Sequence, residues 1–213
     1  AQISNPSDGD VTIGTASATA NILDDETATA DLSVTTQGDE NGPVDIVYTV
    51  TLDKANNTGS SITFDFDDLG TGTATSGSDY TAIPGAATIS VADGASTGTI
   101  TVPVTDDALL EATETLIAQI SNPSDGDVTI GTASASANIL DDETATANLS
   151  VTTNGNESGP IDIVYTVTLS VANNTGSSIT FDFDDLGTGT ATSGSDYTAI
   201  PGAATISVAD GAS

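Results

Sequence analysis

Seven-stranded antiparallel β-sandwiches strung in tandem are the fold that this 213-residue sequence predicts. Three observations carry the prediction. Apolar and polar residues alternate with period two along most of the chain, and Gly-, Asn-, Asp- and Pro-rich turns interrupt that alternation at short intervals. The pattern also recurs: AQISNPSDGDVTIGTAS begins at Ala1 and again at Ala118, a period of 117 residues.

The elements follow from the alternation. Strands are expected at roughly 28–37, 44–53, 61–68, 86–92, 98–105, 113–121 and 128–140. Val44, Ile46, Tyr48, Val50 and Leu52 form the core face of the second, and Ile62, Phe64 and Phe66 that of the third. Ile100, Val102 and Val104 do so in the fifth, and Ala133, Ala135, Ala137 and Ile139 in the last. Turns fall at Gly38 to Pro43, Ala55 to Ser60, Gly70 to Asp79, Asp93 to Thr97, Asp106 to Glu111 and Asn122 to Asp127. Seven short strands in one period, without a sustained helical repeat, predict an immunoglobulin-like sandwich. One complete domain is expected at 26–142. Residues 1–25 are then the last strands of a preceding copy, and 143–213 the first four strands of a following one.

The two copies differ at eight positions only: Thr19/Ser136, Asp31/Asn148, Gln37/Asn154, Asp39/Asn156, Asn41/Ser158, Val44/Ile161, Asp53/Ser170 and Lys54/Val171. Such near-identity implies recent duplication, and the 213 residues read as a window on a longer array. The partial third unit would expose unpaired strand edges unless further chain or a neighbouring molecule completes it.

Composition narrows the chemistry. Thirty-one Asp and Glu stand against one Lys, giving a formal charge of −30, with no His and no Cys. Nucleic acid is excluded as a partner, because binding requires cations that displace phosphate counterions. An anionic membrane surface requires the same, and no apolar run is long enough to insert into a bilayer. Catalysis would have to rely on carboxylates, hydroxyls, Tyr and one Lys. Zinc and copper lose their usual ligands, which leaves hard cations and oxygen donors.

If every turn reverses the chain, an odd strand count places the entry and exit of the domain at opposite poles, so copies stack head to tail. The exit pole then collects Asp39, Glu40, Asp67, Asp68, Asp79, Asp106, Asp107, Glu111, Glu114, Asp141, Asp142 and Glu143. The entry pole holds only Asp53 with Lys54, Asp93, Asp125 and Asp127. Crowded carboxylates repel by about 1 kcal/mol per pair even in water. A Ca²⁺ ion, with its six to eight oxygen ligands and tolerant geometry, relieves that repulsion better than Mg²⁺. Asp65 and Asp67, on the outward face of a strand, are read as solvated.

The run GTATSGSDYTAIPGAATISVADGASTGTITVPVTDDALLEATETLIAQISNP, followed by ANILDDE, resembles the Calx-β motif of sodium/calcium exchanger regulatory domains, integrin β4 and very large bacterial surface adhesins. The resemblance spans the 117-residue unit. It implies calcium ligands at Glu40, Asp79, Asp106, Asp107, Glu111, Asp141 and Asp142. Glu143 stands where the exchanger domains have a third Asp. By the repeat, Asp24 and Asp25 belong to the preceding copy's site, and Glu157 and Asp196 to the following one's.

The function implied is a calcium-stiffened spacer in an extracellular, cell-surface or secreted adhesin, its partners being neighbouring repeats and its adhesive tip lying elsewhere. A filament of identical chains joined by strand exchange is the alternative. A glycan- or ice-binding module lacks a Trp platform, and a glycosidase lacks a cleft-sized insertion.

Overall fold

The computed structural model describes every residue except Asp24 and Pro160. Among the described residues there are fifteen strands: β1 (Ala28–Thr36), β2 (Gly38–Asp39), β3 (Ile46–Leu52), β4 (Ile62–Asp68), β5 (Thr88–Val91), β6 (Thr97–Val102), β7 (Leu110–Glu111), β8 (Glu114–Ser121), β9 (Val128–Ile130), β10 (Ser134–Leu140), β11 (Ala147–Thr153), β12 (Val164–Leu169), β13 (Asn173–Asn174), β14 (Ile179–Asp182) and β15 (Thr205–Val208). Nine of the first ten, all but β7, build a sandwich. Its four-stranded sheet has the order β6-β3-β1-β9, and its five-stranded sheet the order β2-β10-β8-β4-β5.

The alternation places the core as expected. Ile46, Tyr48, Val50, Leu52, Ile62, Phe64, Phe66, Val102, Val104, Ala137 and Ile139 are all buried. The tilted rings of Tyr48 and Phe66 lie with centroids 5.2 Å apart, and the buried Tyr48 hydroxyl donates to the Leu116 carbonyl at 2.8 Å. Every residue of the core cluster falls between Ala30 and Ile139, and those packed on its margin begin at Ala28. The central repeat therefore closes its own core without the flanking units.

Three expectations need correction. Val44 is 42% exposed, because it lies before β3 in a tight pairing with Asp39. Ala133 is also exposed. The single seventh strand is two: β9 runs parallel to β1, and β10 runs antiparallel to β8 in the other sheet. Between them the Gly131 amide bonds Ala30, and the Thr132 carbonyl and amide bond the Leu32 amide and the Asp31 carboxylate. These bonds turn the chain across from one sheet to the other.

Among the described residues 1–25 there is one isolated bridge, Gln2 to Ser17, and no strand. Their counterparts in the central repeat are held by β1 and β4. Residues 143–213 hold β11 to β15, with β11 paired antiparallel to β12 and β14 to β15. The Tyr165–Phe183 pair repeats the central geometry, with centroids 5.1 Å apart, yet Tyr165 is 38% exposed where Tyr48 is wholly buried. The ring pairing is local to these strands, and burial of the ring is a property of the closed sandwich.

Truncating Phe66 to Ala removes a fully buried ring from the sheet-to-sheet contact. The expected cost is about 3–5 kcal/mol, read as a shift in the urea midpoint at unchanged m-value.

Candidate metal centre

The acidic pole is built by strands that carry their inward-facing register past the end of the apolar core. On β8 the buried side chains are Leu116, Ala118 and Ile120, and Glu114 has the same parity. On β10 Ala137 and Ile139 are buried, and Asp141 and Glu143 continue that face. Gly38 and Glu40 do the same beside β2. A side chain at Gly38 would meet Val104, Ile46 and Ile139 at about 3 Å. Glycine therefore lets this segment lie on the core, and the Glu40 amide bonds the Leu140 carbonyl at 2.9 Å, next to Asp141.

Asp79 arrives from a separate loop. A Cβ at Gly72 would fall 2.0 Å from the Thr115 carbonyl oxygen, so only glycine permits the loop to sit on β8. The Ala74 amide then bonds Thr115, and the buried Tyr80 anchors the loop's far end by donating to Asp68 at 2.6 Å. Asp79, only 6% exposed, accepts the Thr75 amide through one oxygen at 2.5 Å.

Three groups of carboxylates result: Glu40, Asp141 and Glu143; Asp79, Glu111 and Glu114; Asp106, Asp142 and Glu143. Within each, one oxygen per residue lies within 4.8 Å of the others, which is the span across one ion with Ca–O distances near 2.4 Å. Glu143 belongs to two groups and so joins them. Asp107 stands outside the three, its carboxylate capping the Leu109 amide at 2.8 Å, though its charge reaches Glu40 and Glu111. Asp25, Glu157 and Asp196 are exposed and also lie outside these groups; Asp196 accepts the Thr192 amide at 2.7 Å. Asp24 falls outside the described residues. Glu114 is the residue that the carried-over ligand set omits.

Hydrogen bonding separates these acids from the rest. Asp39, Asp68 and Asp125 each accept a backbone amide within a turn, Asp53 and Asp93 accept the amides of Thr29 and Gly59 from elsewhere in the chain, and exposed Asp65 accepts the Asn122 side chain. By contrast, buried oxygens of Glu40, Glu114, Asp141 and Glu143 have no donor. A buried carboxylate oxygen without a partner is costly, and the chain's one Lys is at the other pole, donating to the Thr27 carbonyl. Burial, reinforced by neighbouring carboxylates, pushes the acids of Glu40 and Glu111 up to about 7 and that of Glu114 to about 8. Burial raises Asp141 as well, opposed by the Glu111 amide that it accepts, and Glu143 is raised with it. The donor set fits a hard divalent cation: all oxygen, anionic, short of protons to share and clustered at one ion's diameter.

Such a site on such a sandwich defines a class of cation-binding β-domain. The family model described as the Calx-beta domain matches residues 28–143 and again 152–207, and the chain belongs to that family. Calx-beta domains bind calcium. Among solved structures, the chain is similar to the apo-form Calx CBD1 domain at 21% identity and a TM-score of 0.45, covering 55% of this chain and 100% of that one. It is similar at 21% identity to CBD12 from CALX1.2 (TM-score 0.44) and to the calcium binding domain CBD12 of CALX1.1 (TM-score 0.43). In both cases 53% of this chain and 44% of the other are covered. No curated protein matches.

Neutralising one carboxylate should act in opposite directions with and without metal. Glu114→Gln is expected to raise the melting temperature in chelator at pH 7.5, because the folded state no longer has to take up a proton at a buried carboxylate that is ionised in the unfolded chain. It should lower calcium affinity at least tenfold in calorimetry, because a ligand is lost.

Proposed function

We propose that this chain is a calcium-binding Calx-beta repeat array that serves as a structural spacer in an extracellular, cell-surface or secreted adhesin. The observation that carries the calcium reading is the set of donorless buried carboxylate oxygens in ion-sized clusters. Their position supports the spacer reading. Asp141, Asp142 and Glu143 open the connection to the next repeat, and Glu111 lies on β7, which pairs with β13 of that repeat. Metal at this pole fixes the residues that join consecutive units, so neutralising the acids stiffens the joint. The near-identical 117-residue period supports an array whose units are interchangeable lengths rather than distinct sensors. No catalytic role is assigned to these carboxylates.

Calcium binds the folded state only, and a hundredfold excess over one site's dissociation constant contributes about 2.7 kcal/mol. The melting temperature is therefore expected to rise by several degrees on adding calcium and to fall back in chelator, with the particle's maximum dimension in X-ray scattering sharpening in parallel. An unchanged melting curve would remove calcium from the function.

The pH dependence has a definite sign. In chelator the folded state holds protons on Glu40, Glu111 and Glu114 up to about 7–8, whereas the unfolded chain releases them near 4.3. The folded state thus binds more protons in this window, and stability falls as pH rises from about 4.5 to 8. Calcium competes with those protons, so the calcium-loaded protein should lose this decline. Melting curves at pH 5, 6, 7 and 8, with and without chelator, check it.

A further inference from the structure

Three of the eight differences between the two copies act on one kind of motif. Asn148 in place of Asp31 creates Asn148-Leu149-Ser150, and Asn156 and Ser158 in place of Asp39 and Asn41 create Asn156-Glu157-Ser158. Each copy also carries an Asn-Asn-Thr triplet, beginning at Asn56 and at Asn173, so the sequence holds four Asn-x-Ser/Thr acceptor patterns for N-linked sugar. Attachment needs an accessible Asn Nδ2 that is free to form the new bond, with the hydroxyl two residues on turned toward the same side chain.

The fold separates the four. Asn56 and Asn173 are buried, and their Nδ2 atoms are already spent: Asn56 donates to Ser60 at 2.8 Å and to Val91 at 3.0 Å, and Asn173 to Ser177 at 2.8 Å and to Val208 at 3.2 Å. Asn148 is exposed but lies inside β11, in register with Thr168, and the Ser150 hydroxyl donates across the strands to the Thr166 carbonyl at 3.3 Å. Only Asn156 meets both conditions. It is exposed in a turn, its Oδ1 accepts the Ser158 amide at 2.9 Å and the Ser158 hydroxyl at 3.2 Å, and its Nδ2 donates to no described residue.

This accessibility belongs to the turn itself. The pairing of Asn156 with Ile161, through two backbone bonds of 3.0 Å, repeats that of Asp39 with Val44. In the closed central sandwich the Asp39 side chain accepts the Asn41 amide at 2.9 Å, Asn41 is exposed and Asp39 is only half-buried. Completing the sandwich therefore leaves the turn at the surface.

We infer that Asn156 is an acceptor for an N-linked hexose, transferred from a nucleotide-activated sugar by a glycosyltransferase that reads Asn-x-Ser/Thr. Nδ2 forms a bond to the anomeric carbon of the sugar. The bond from that carbon to the phosphate oxygen breaks, the nucleoside diphosphate leaves, and one amide proton passes to the enzyme's base. Glu157, inside the triplet, is the counterpart of Glu40, so the sugar stands at the acidic end of the repeat that bears it. The central copy, with Asp39 and Asn41 at these places, stays unmodified. Copies equal in fold and length thereby differ in surface chemistry.

The test treats the purified chain with a soluble Asn-x-Ser/Thr glycosyltransferase and nucleotide-activated glucose. Peptide mass spectrometry then compares each site with a synthetic peptide of the same triplet. Asn156 in the folded chain should take up glucose at a rate comparable to its peptide. Asn56 and Asn173 should lag their peptides by at least about tenfold, because they react only through local opening. Ser158→Ala should abolish uptake at Asn156, and Ser158→Thr should retain it. Asp39→Asn combined with Asn41→Ser copies the triplet into the closed central repeat and should add a second glucose, at position 39. No glucose at Asn156, Asn56 and Asn173 reacting as fast as their peptides, or no second glucose in the double variant overturns the inference.

Discussion

Carboxylates withdrawn from water without a countercharge set the terms for the rest of this molecule. Elsewhere in the domain, Asp side chains accept backbone amides, some within a turn and others from distant segments. At the exit pole that solution fails. The strands β8 and β10 deliver Glu114 and Asp141 on their core-facing side, and Gly38 holds Glu40 against the same wall. The acids cannot turn outward without breaking the register that buries Leu116 and Ile139. The energy stored in this arrangement is released by protons, which explains the raised carboxyl groups, or by a divalent cation, which also links separate loops.

That constraint also explains why the site lies at a junction. Exit strand β10 leads directly into Asp141, Asp142 and Glu143, and the loop bearing Asp106 to Glu111 provides the strand on which the following repeat rests. In the proposed function, a cation held there would contact the end of one unit and the beginning of the connection to the next. The paired backbone segments β7 and β13 supply a second, uncharged fastening beside it. Together they describe a joint in which electrostatics and sheet pairing act on the same few residues.

Much of this was legible from period-two alternation alone. It marked Ile46 to Leu52 and Ile62 to Phe66 as inward-facing because each strand is half-buried against the opposite sheet. It could not reveal that residues 128–140 change sheets at Gly131 to Ala133, since alternation identifies a face and not the sheet that owns it. Strand parity collected the acids at one pole, but counting them by turn gave Asp107 the same standing as Glu111. The structure separates the two: Asp107 caps its own loop, and Glu111 points into a cluster. Glu114 was the residue most readily found by a closer reading. It occupies the parity of Leu116, Ala118 and Ile120, and an acid in a core register signals either a buried hydrogen bond or a metal.

The most direct measurement of the central claim is titration calorimetry with calcium in buffers of differing ionisation enthalpy, which counts protons released on binding. Because Glu40, Glu111 and Glu114 retain protons near neutrality, calcium uptake at pH 7 should expel part of a proton from each, and the release should vanish at pH 9 while binding strengthens. Absence of heat at either pH, or uptake with no proton release at pH 7, would contradict the claim that these desolvated acids hold the ion.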